Sequence, residues 1–295
     1  MTLTAEDVQQ PDTQYRELLM RILREGEKVM PQQEEGARMV IGHQMRFDLS
    51  KGFPLVTERD LSGRFFRGAI GETLCFRSGG QTQEALESFG CPWWKRWITP
   101  KKCLKRGLQP GDLGPGSYGA AWRRFPTAEG KPFDQITNII EQIKELPQLR
   151  THVITNWIPQ YTIRGEGKVQ KVVVAPCHGQ MHILIVNGRL SLHHYQRSAD
   201  VPVGLVFNMV QYAAWAMMLA QVTGYPVHEL VYTISDAHIY EKQIPDVEVL
   251  LSREPRPFPT MTINPEVTDI FDFTPEDFII SDYNPHEEMK IWTPV

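Results

Sequence analysis

Residues 180–196 read QMHILIVNGRLSLHHYQ. Asn187-Gly188 stands between two runs in which apolar and polar residues alternate, and this dipeptide tolerates the left-handed backbone that a two-residue hairpin turn requires. The segment therefore predicts two antiparallel strands, residues 180–186 and 189–196. With Asn187 and Gly188 as the turn residues, Val186 faces Arg189. The same register carried outward sets Cys177 opposite Ser198, with Arg197 adjacent, unless a bulge shifts the hairpin ends. A thiol beside a guanidinium has its thiolate favoured, and its free pKa near ~8.5 falls by a unit or more in such surroundings. Cys177 is thus a candidate nucleophile; a buried structural thiol is the other reading of the same pattern.

Working outward, residues 15–30 carry an apolar stripe (Leu18, Leu19, Ile22, Leu23) and predict a helix. Residues 38–49 read as a strand, 64–76 as a helix stopped by Ser78-Gly79-Gly80, and 133–146 as an amphipathic helix ending before Pro147. Residues 90–119 dissolve into Trp, Pro and Gly, and an irregular segment of that length is usually functional or mobile. Residues 152–157 and 171–175 read as strands, and 231–233 and 260–263 as short ones. A long helix starts near Leu205 and is capped by Gly224. The whole predicts one α/β (α+β) domain over residues 15–295, behind a flexible arm at 1–14.

The chain has 295 residues, 41% hydrophobic and 22% charged, a composition that excludes disordered and fibrous classes. A net charge of −4 argues against a protein that lives on DNA or RNA backbones, though not against a pocket for one phosphate. Residues 204–224 are the only membrane candidate. Asn208, Gln211 and Gln221 interrupt them, so a helix buried in a large core is expected instead. Four cysteines (Cys75, Cys91, Cys103, Cys177), none in a C-x-x-C pair, exclude a disulfide scaffold and argue against a zinc site. Together with an N-terminus that lacks the pattern of a signal peptide, they predict a reducing cytoplasm.

Other chemistry-bearing residues read more plainly. Cys75 lies on an apolar helix face and is expected in the core. Cys91 and Cys103 have no acid–base partner nearby in sequence. The pairs His178/His182 and His193/His194 lack companions at ligand spacing and read as ordinary strand histidines, so no metal is expected. Glu72 stands among Ala69, Ile70 and Leu74, and is either surface-exposed or buried with a raised pKa; the pattern alone favours the surface.

A resemblance becomes specific at Pro176-Cys177-His178, Tyr195-Gln196-Arg197-Ser198-x-Asp200 and Gly204-x-x-Phe207-Asn208. Blocks at residues 42–47, 52–57, 111–115, 236–240, 251–257 and 283–286 fall in the same order, and the chain resembles the folate-dependent thymidylate synthase family from about Tyr15 to Val295. The resemblance implies that family's mixed twisted sheet packed with helices, dimerising through the sheet. It implies a pyrimidine nucleoside monophosphate substrate and 5,10-methylenetetrahydrofolate as one-carbon donor. Cys177 would attack C6 of the ring. Asn208 would read the O4/N3 edge, and Glu72 and Tyr118 would serve proton movement at O4 and C5. Arg197 and Ser198 would grip the phosphate, with Gln196 beside them at the substrate. His238 and Tyr240 would hold the sugar hydroxyl, and Asp200, Trp94, Trp97 and the C-terminal Val295 the folate. Arg150 would reach the partner subunit's substrate in a homodimer.

The departures fall on the phosphate. An ungapped alignment sets Gln32-Gln33-Glu34-Glu35-Gly36 where the family has R-T-G-T-G, and Arg150-Thr151 where it has two adjacent arginines. Each lost charged hydrogen bond is worth about 1.5–3 kcal/mol. Arg38, Arg123, Arg124 and the basic residues of 158–171 (Arg164, Lys168, Lys171) are the candidates to compensate. Gly79-Gly80-Gln81-Thr82 replaces a Gly-Asp-Thr-Asn stretch near the folate. Asparagine at 208 favours uracil over cytosine. The resemblance thus implies methylation of dUMP, with a pyrimidine nucleotide hydroxymethylase as the alternative and a non-catalytic nucleotide- or RNA-binding relative as the remaining class.

Overall fold

The structure, a computed structural model, describes residues 10–31 and 35–294. The hairpin forms as its turn requires: Asn187 (φ 50°) and Gly188 (φ 72°) join β4 (Gln180–Val186) to β5 (Arg189–Asp200), with Val186 facing Arg189 and Gln180 facing Tyr195. Before them in the chain come β1 (Glu27–Val29), β2 (Ala37–Asp48) and β3 (Val153–Ile154); after them comes β6 (Val227–Tyr240). Among the described residues these six strands form one mixed sheet in the order β1-β2-β6-β5-β4-β3. Only β5 and β6 run parallel. A parallel pair needs a crossover, and α8 (Val206–Thr223) supplies it.

Helices α1 (Gln14–Glu25) and α8 lie on the sheet, α1 against β2 and β6 and α8 against β5 and β6, and α2 (Arg64–Arg77) packs on α8. In α8, Ala213, Ala214, Trp215, Ala216 and Met218 are all fully buried, so the apolar middle of this helix is enclosed by the fold. Gly224, at φ 79°, ends it in the left-handed conformation. Shorter helices fill the edges: α3 (Gln83–Ser88), α4 (Pro100–Leu104), α5 (Tyr118–Arg123), α6 (Gln135–Glu145) and α7 (Pro159–Thr162), followed after β6 by α9 (Ile244–Ser252). The Asp134 side chain caps α6 by accepting from Thr137 N–H. A separate hairpin pairs β7 (Thr260–Ile263) with β8 (Phe278–Ser281).

Several expectations are corrected. The first helix stops at Glu25 rather than running to residue 30: a side chain at Gly26 would meet Ile22 O at 2.4 Å, and the chain turns there into β1. Residues 171–175 are not a strand. Their backbone joins a loop instead, with Val173 N–H on Leu113 O and Gly116 N–H on Lys171 O. Of residues 152–157 only Val153–Ile154 is a strand. The short strand expected at 231–233 is the fourteen-residue β6, central in the sheet and interrupted by polar residues that obscure its period. Residues 90–119 contain a 3-10 turn at Trp93–Arg96 and α4.

Candidate active site

The β4–β5 ladder ends at Gln180, and there the chain leaves the sheet. Gly179 takes φ 106°, and a Cβ on it would meet Asn156 Nδ2 at 2.2 Å. That amide donates to His178 O at 2.5 Å and holds the turn. Cys177 is carried out to the rim, where its carbonyl accepts from Arg197 N–H at 2.8 Å, a shift from the hairpin register that faced it with Ser198. Arg197 Nη2 lies 3.4 Å from Cys177 Sγ, while the same guanidinium donates to Pro176 O and Ala175 O and lies over the Trp157 ring. A cavity of about 290 Å³ opens here, lined by Asn156, Trp157, Cys177, His178, Gln180 and Arg197 among others. The expected fall in the thiol's pKa is not met. Burial pushes it up by more than Arg197 draws it down, and the Asp236 carboxylate adds to the rise.

Behind the cysteine lies a buried polar layer. Tyr118, at the start of α5, accepts Cys177 N–H on its hydroxyl (2.9 Å), and its ring lies 4.5 Å from that of His178. Glu72 projects from α2 into this layer and is only 7% exposed, so the surface reading of its pattern is overturned. It accepts from Trp94 Nε1 at 2.5 Å and from Gln211 Nε2 at 2.5 Å, with Cys91 Sγ at 3.9 Å. Burial raises its pKa despite these donors. Asn208 and Gln211, three apart on α8, share a face; Asn208 Nδ2 donates to Gln211 Oε1 (3.0 Å) and Asn208 Oδ1 accepts from Gln196 Nε2 (3.0 Å).

The histidines separate. His178 is not in a strand: it is bonded to the Tyr212 hydroxyl (2.6 Å), and burial holds its pKa down to about 3. His194 stacks on Tyr212 and accepts Gly179 N–H, and burial likewise keeps it neutral. The strand reading thus holds for His182 in β4 and for His193 and His194 in β5, and fails for His178 alone.

A third group sits where β5 and β6 run side by side, Ser198 opposite Asp236 and Asp200 opposite His238. Ser198 Oγ donates to Asp236 Oδ2 (2.7 Å), and His238 Nδ1 lies 2.9 Å from Asp236 Oδ1. Burial would raise Asp236, but His238, Ser198 and Arg197 hold it below the ordinary carboxylate value. His238 and Tyr240 point the same way along β6, their rings 5.1 Å apart. Burial pushes Asp200 up to about 6 against the pull of His238, Gln243 and Arg59. Its two oxygens accept from Gln243 Nε2, which also donates to Trp292 O.

Trp97 is half-buried, edge-on to Trp94. Arg150 is exposed just before β3. The candidate compensating arginines are engaged elsewhere: Arg38 on Glu241 and Leu23 O, Arg123 on Asp134 and over Phe271, Arg124 on Gly79 O and Gln81. In the segment at 158–171, Lys171 lies over the Tyr161 ring. Gln32 and Val295 lie outside the described residues. A family model described as Thymidylate synthase matches residues 13–295.

Proposed function

The chain belongs to the thymidylate synthase family, a family of one-carbon transferases that act on pyrimidine nucleotides with methylenetetrahydrofolate as co-substrate, and from that premise we propose that it methylates C5 of dUMP. The observation that carries this reading is Arg197 Nη2 at 3.4 Å from Cys177 Sγ, beside a cavity and in front of the Glu72–Gln211–Asn208 layer. Cys177 gives up its proton and adds to C6, forming the C–S bond that makes C5 nucleophilic. The thiol proton passes to solvent at the rim; burial opposes that loss, and the phosphate-binding Arg197, a cation with no acceptor of its own, favours the thiolate by its charge and its N–H. Asn208 stabilises the charge that develops at O4. Glu72, whose pKa burial raises, and Tyr118 handle the protons at O4 and C5. When bound, methylenetetrahydrofolate supplies the one-carbon unit and, for methylation, the hydride that reduces it. Asp200, Trp94, Trp97 and Val295 hold the folate; Gln196 and Ser198 line the nucleotide; His238 and Tyr240 hold its sugar.

The second sheet face supports a homodimer in which Arg150 serves the partner subunit's site. That face leaves Ile41 76% exposed, with Val153 and Tyr195 also open. The four free thiols support a reducing compartment. The test is to give the purified protein dUMP, UMP, dCMP and CMP with methylenetetrahydrofolate and to weigh the products. A methyl product with dihydrofolate is expected; a hydroxymethyl product with tetrahydrofolate replaces this reading with hydroxymethylation. Cys177→Ser should abolish turnover while leaving nucleotide binding, and unchanged turnover removes the mechanism.

A further inference from the structure

The side-chain amide of Gln211 is oriented by a partner that can only accept. Its nitrogen donates to Ala69 O at 3.2 Å and to Glu72 Oε2 at 2.5 Å. A backbone carbonyl has no proton to give, so the nitrogen must face Ala69 and the oxygen must face Asn208. Asn208 is thereby obliged to present Nδ2 to Gln211 Oε1. The same logic runs in from the other side. Gln196 Nε2 donates to Ser198 O (2.9 Å), which fixes that amide too, and its second N–H goes to Asn208 Oδ1. Gln196 Oε1 in turn accepts from the Tyr232 hydroxyl. Hydrogen bonds thus run in a single direction from Tyr232 through Gln196, Asn208 and Gln211 to Glu72.

An asparagine amide has two N–H groups and two principal acceptor positions. At Asn208 one of each is consumed inside the layer, and one of each remains on a side chain that is 8% exposed. Uracil offers an acceptor at O4 beside a donor at N3; cytosine offers a donor at N4 beside an acceptor at N3. The two bases therefore show the same pair in opposite order. An amide free to turn over can meet either, and one held at both ends meets only one. Turning Asn208 over with Gln211 in place would set oxygen against oxygen at Gln211 and nitrogen against nitrogen at Gln196.

We propose that Gln211 is a positioning residue that locks the Asn208 amide and so fixes which pyrimidine the site accepts. This rests on the reading above that Asn208 faces the base; Gln211 acts through it. The sequence held a signal for this residue, an amide three positions from Asn208 in the apolar first half of the helix.

The experiment compares kcat/KM for dUMP and dCMP in wild type, Gln211→Met, which keeps the volume and loses the hydrogen bonds, and Gln211→Glu, which keeps an acceptor for Asn208 Nδ2. Wild type is expected to prefer dUMP. The Met variant should reduce that preference roughly tenfold or more, since discrimination by fixed polar groups is large. The Glu variant should keep it within about threefold while its kcat changes, because its carboxylate sits against Glu72. A structural role alone would leave the preference unchanged in both. If the Met variant does not fold, Gln211→Leu carries the same comparison. An unchanged preference in the Met or Leu variant overturns the lock, as does a wild type that takes both bases equally or a Glu variant that loses the preference as fully as Met. A wild type that neither binds nor converts either nucleotide removes the functional reading itself, which the first arm shows before any variant is compared.

Discussion

Glu72 and Asp200 are both carboxyls taken out of water, and burial raises both. They differ in what surrounds them. Glu72 meets an indole, an amide and a thiol, and no cation counters its burial. Asp200 meets Gln243 and feels His238 and Arg59, which bring it back to about 6. Neutral donors orient a carboxyl without forcing it to ionise, whereas nearby cations set where it titrates. One chain thus holds one buried acid among neutral donors only and another, beside cations, that titrates at about 6.

The largest effect should come from removing the exchangeable proton of the first. Glu72→Gln keeps the size, removes the exchangeable proton and leaves one acceptor where two oxygens now accept from Trp94 and Gln211, and should lower kcat by roughly 10²–10⁴-fold. A loss below about tenfold would take Glu72 out of the proton path.

The second carboxyl can be tested by stability. Below pH 3.8, the ordinary Asp value, both folded and unfolded chains hold the proton. As pH rises toward 6, the unfolded chain releases it while the folded chain keeps it, so the stability this group contributes falls and is lost above the folded value. Asp200→Asn does not titrate there. Between pH 4 and pH 8 the stability difference should move in the variant's favour by about 2 kcal/mol, read from urea unfolding at each pH. A difference independent of pH would contradict the raised value.

The smallest change sharpens the comparison without removing either acid. Trp94→Phe keeps an aromatic ring and withdraws one donor from Glu72. It should cost about 1 kcal/mol and move the Glu72 inflection in the pH–kcat profile upward, since that donor favours the ionised form. An inflection that stays in place would mean the indole is not holding the charged form.

Much of this was legible in advance, and the reasons are physical. Asn187-Gly188 needs no context to specify its turn, and α8 carries its burial in its composition. β6 was hidden because Ser235, Asp236 and His238 interrupt the apolar period of a strand with sheet on both sides. Glu72 was ambiguous because apolar neighbours in sequence do not say which face of α2 is covered. The direction of Cys177's titration was misjudged for a related reason. Sequence shows the guanidinium beside it, while desolvation depends on elements far along the chain, Tyr118 among them.

The pairing of β2 with β6 has a consequence for how the molecule is made. Ala37 lies against Tyr240 and Asp48 against Glu229, so the middle of the sheet joins the first sixth of the chain to its last quarter. During synthesis β2 leaves the ribosome long before its neighbour exists, and its apolar side (Val40, Met45, Phe47) has no finished core to enter. Contacts of such long range make collapse slow. The nascent polypeptide should therefore depend on chaperones until its final quarter has emerged.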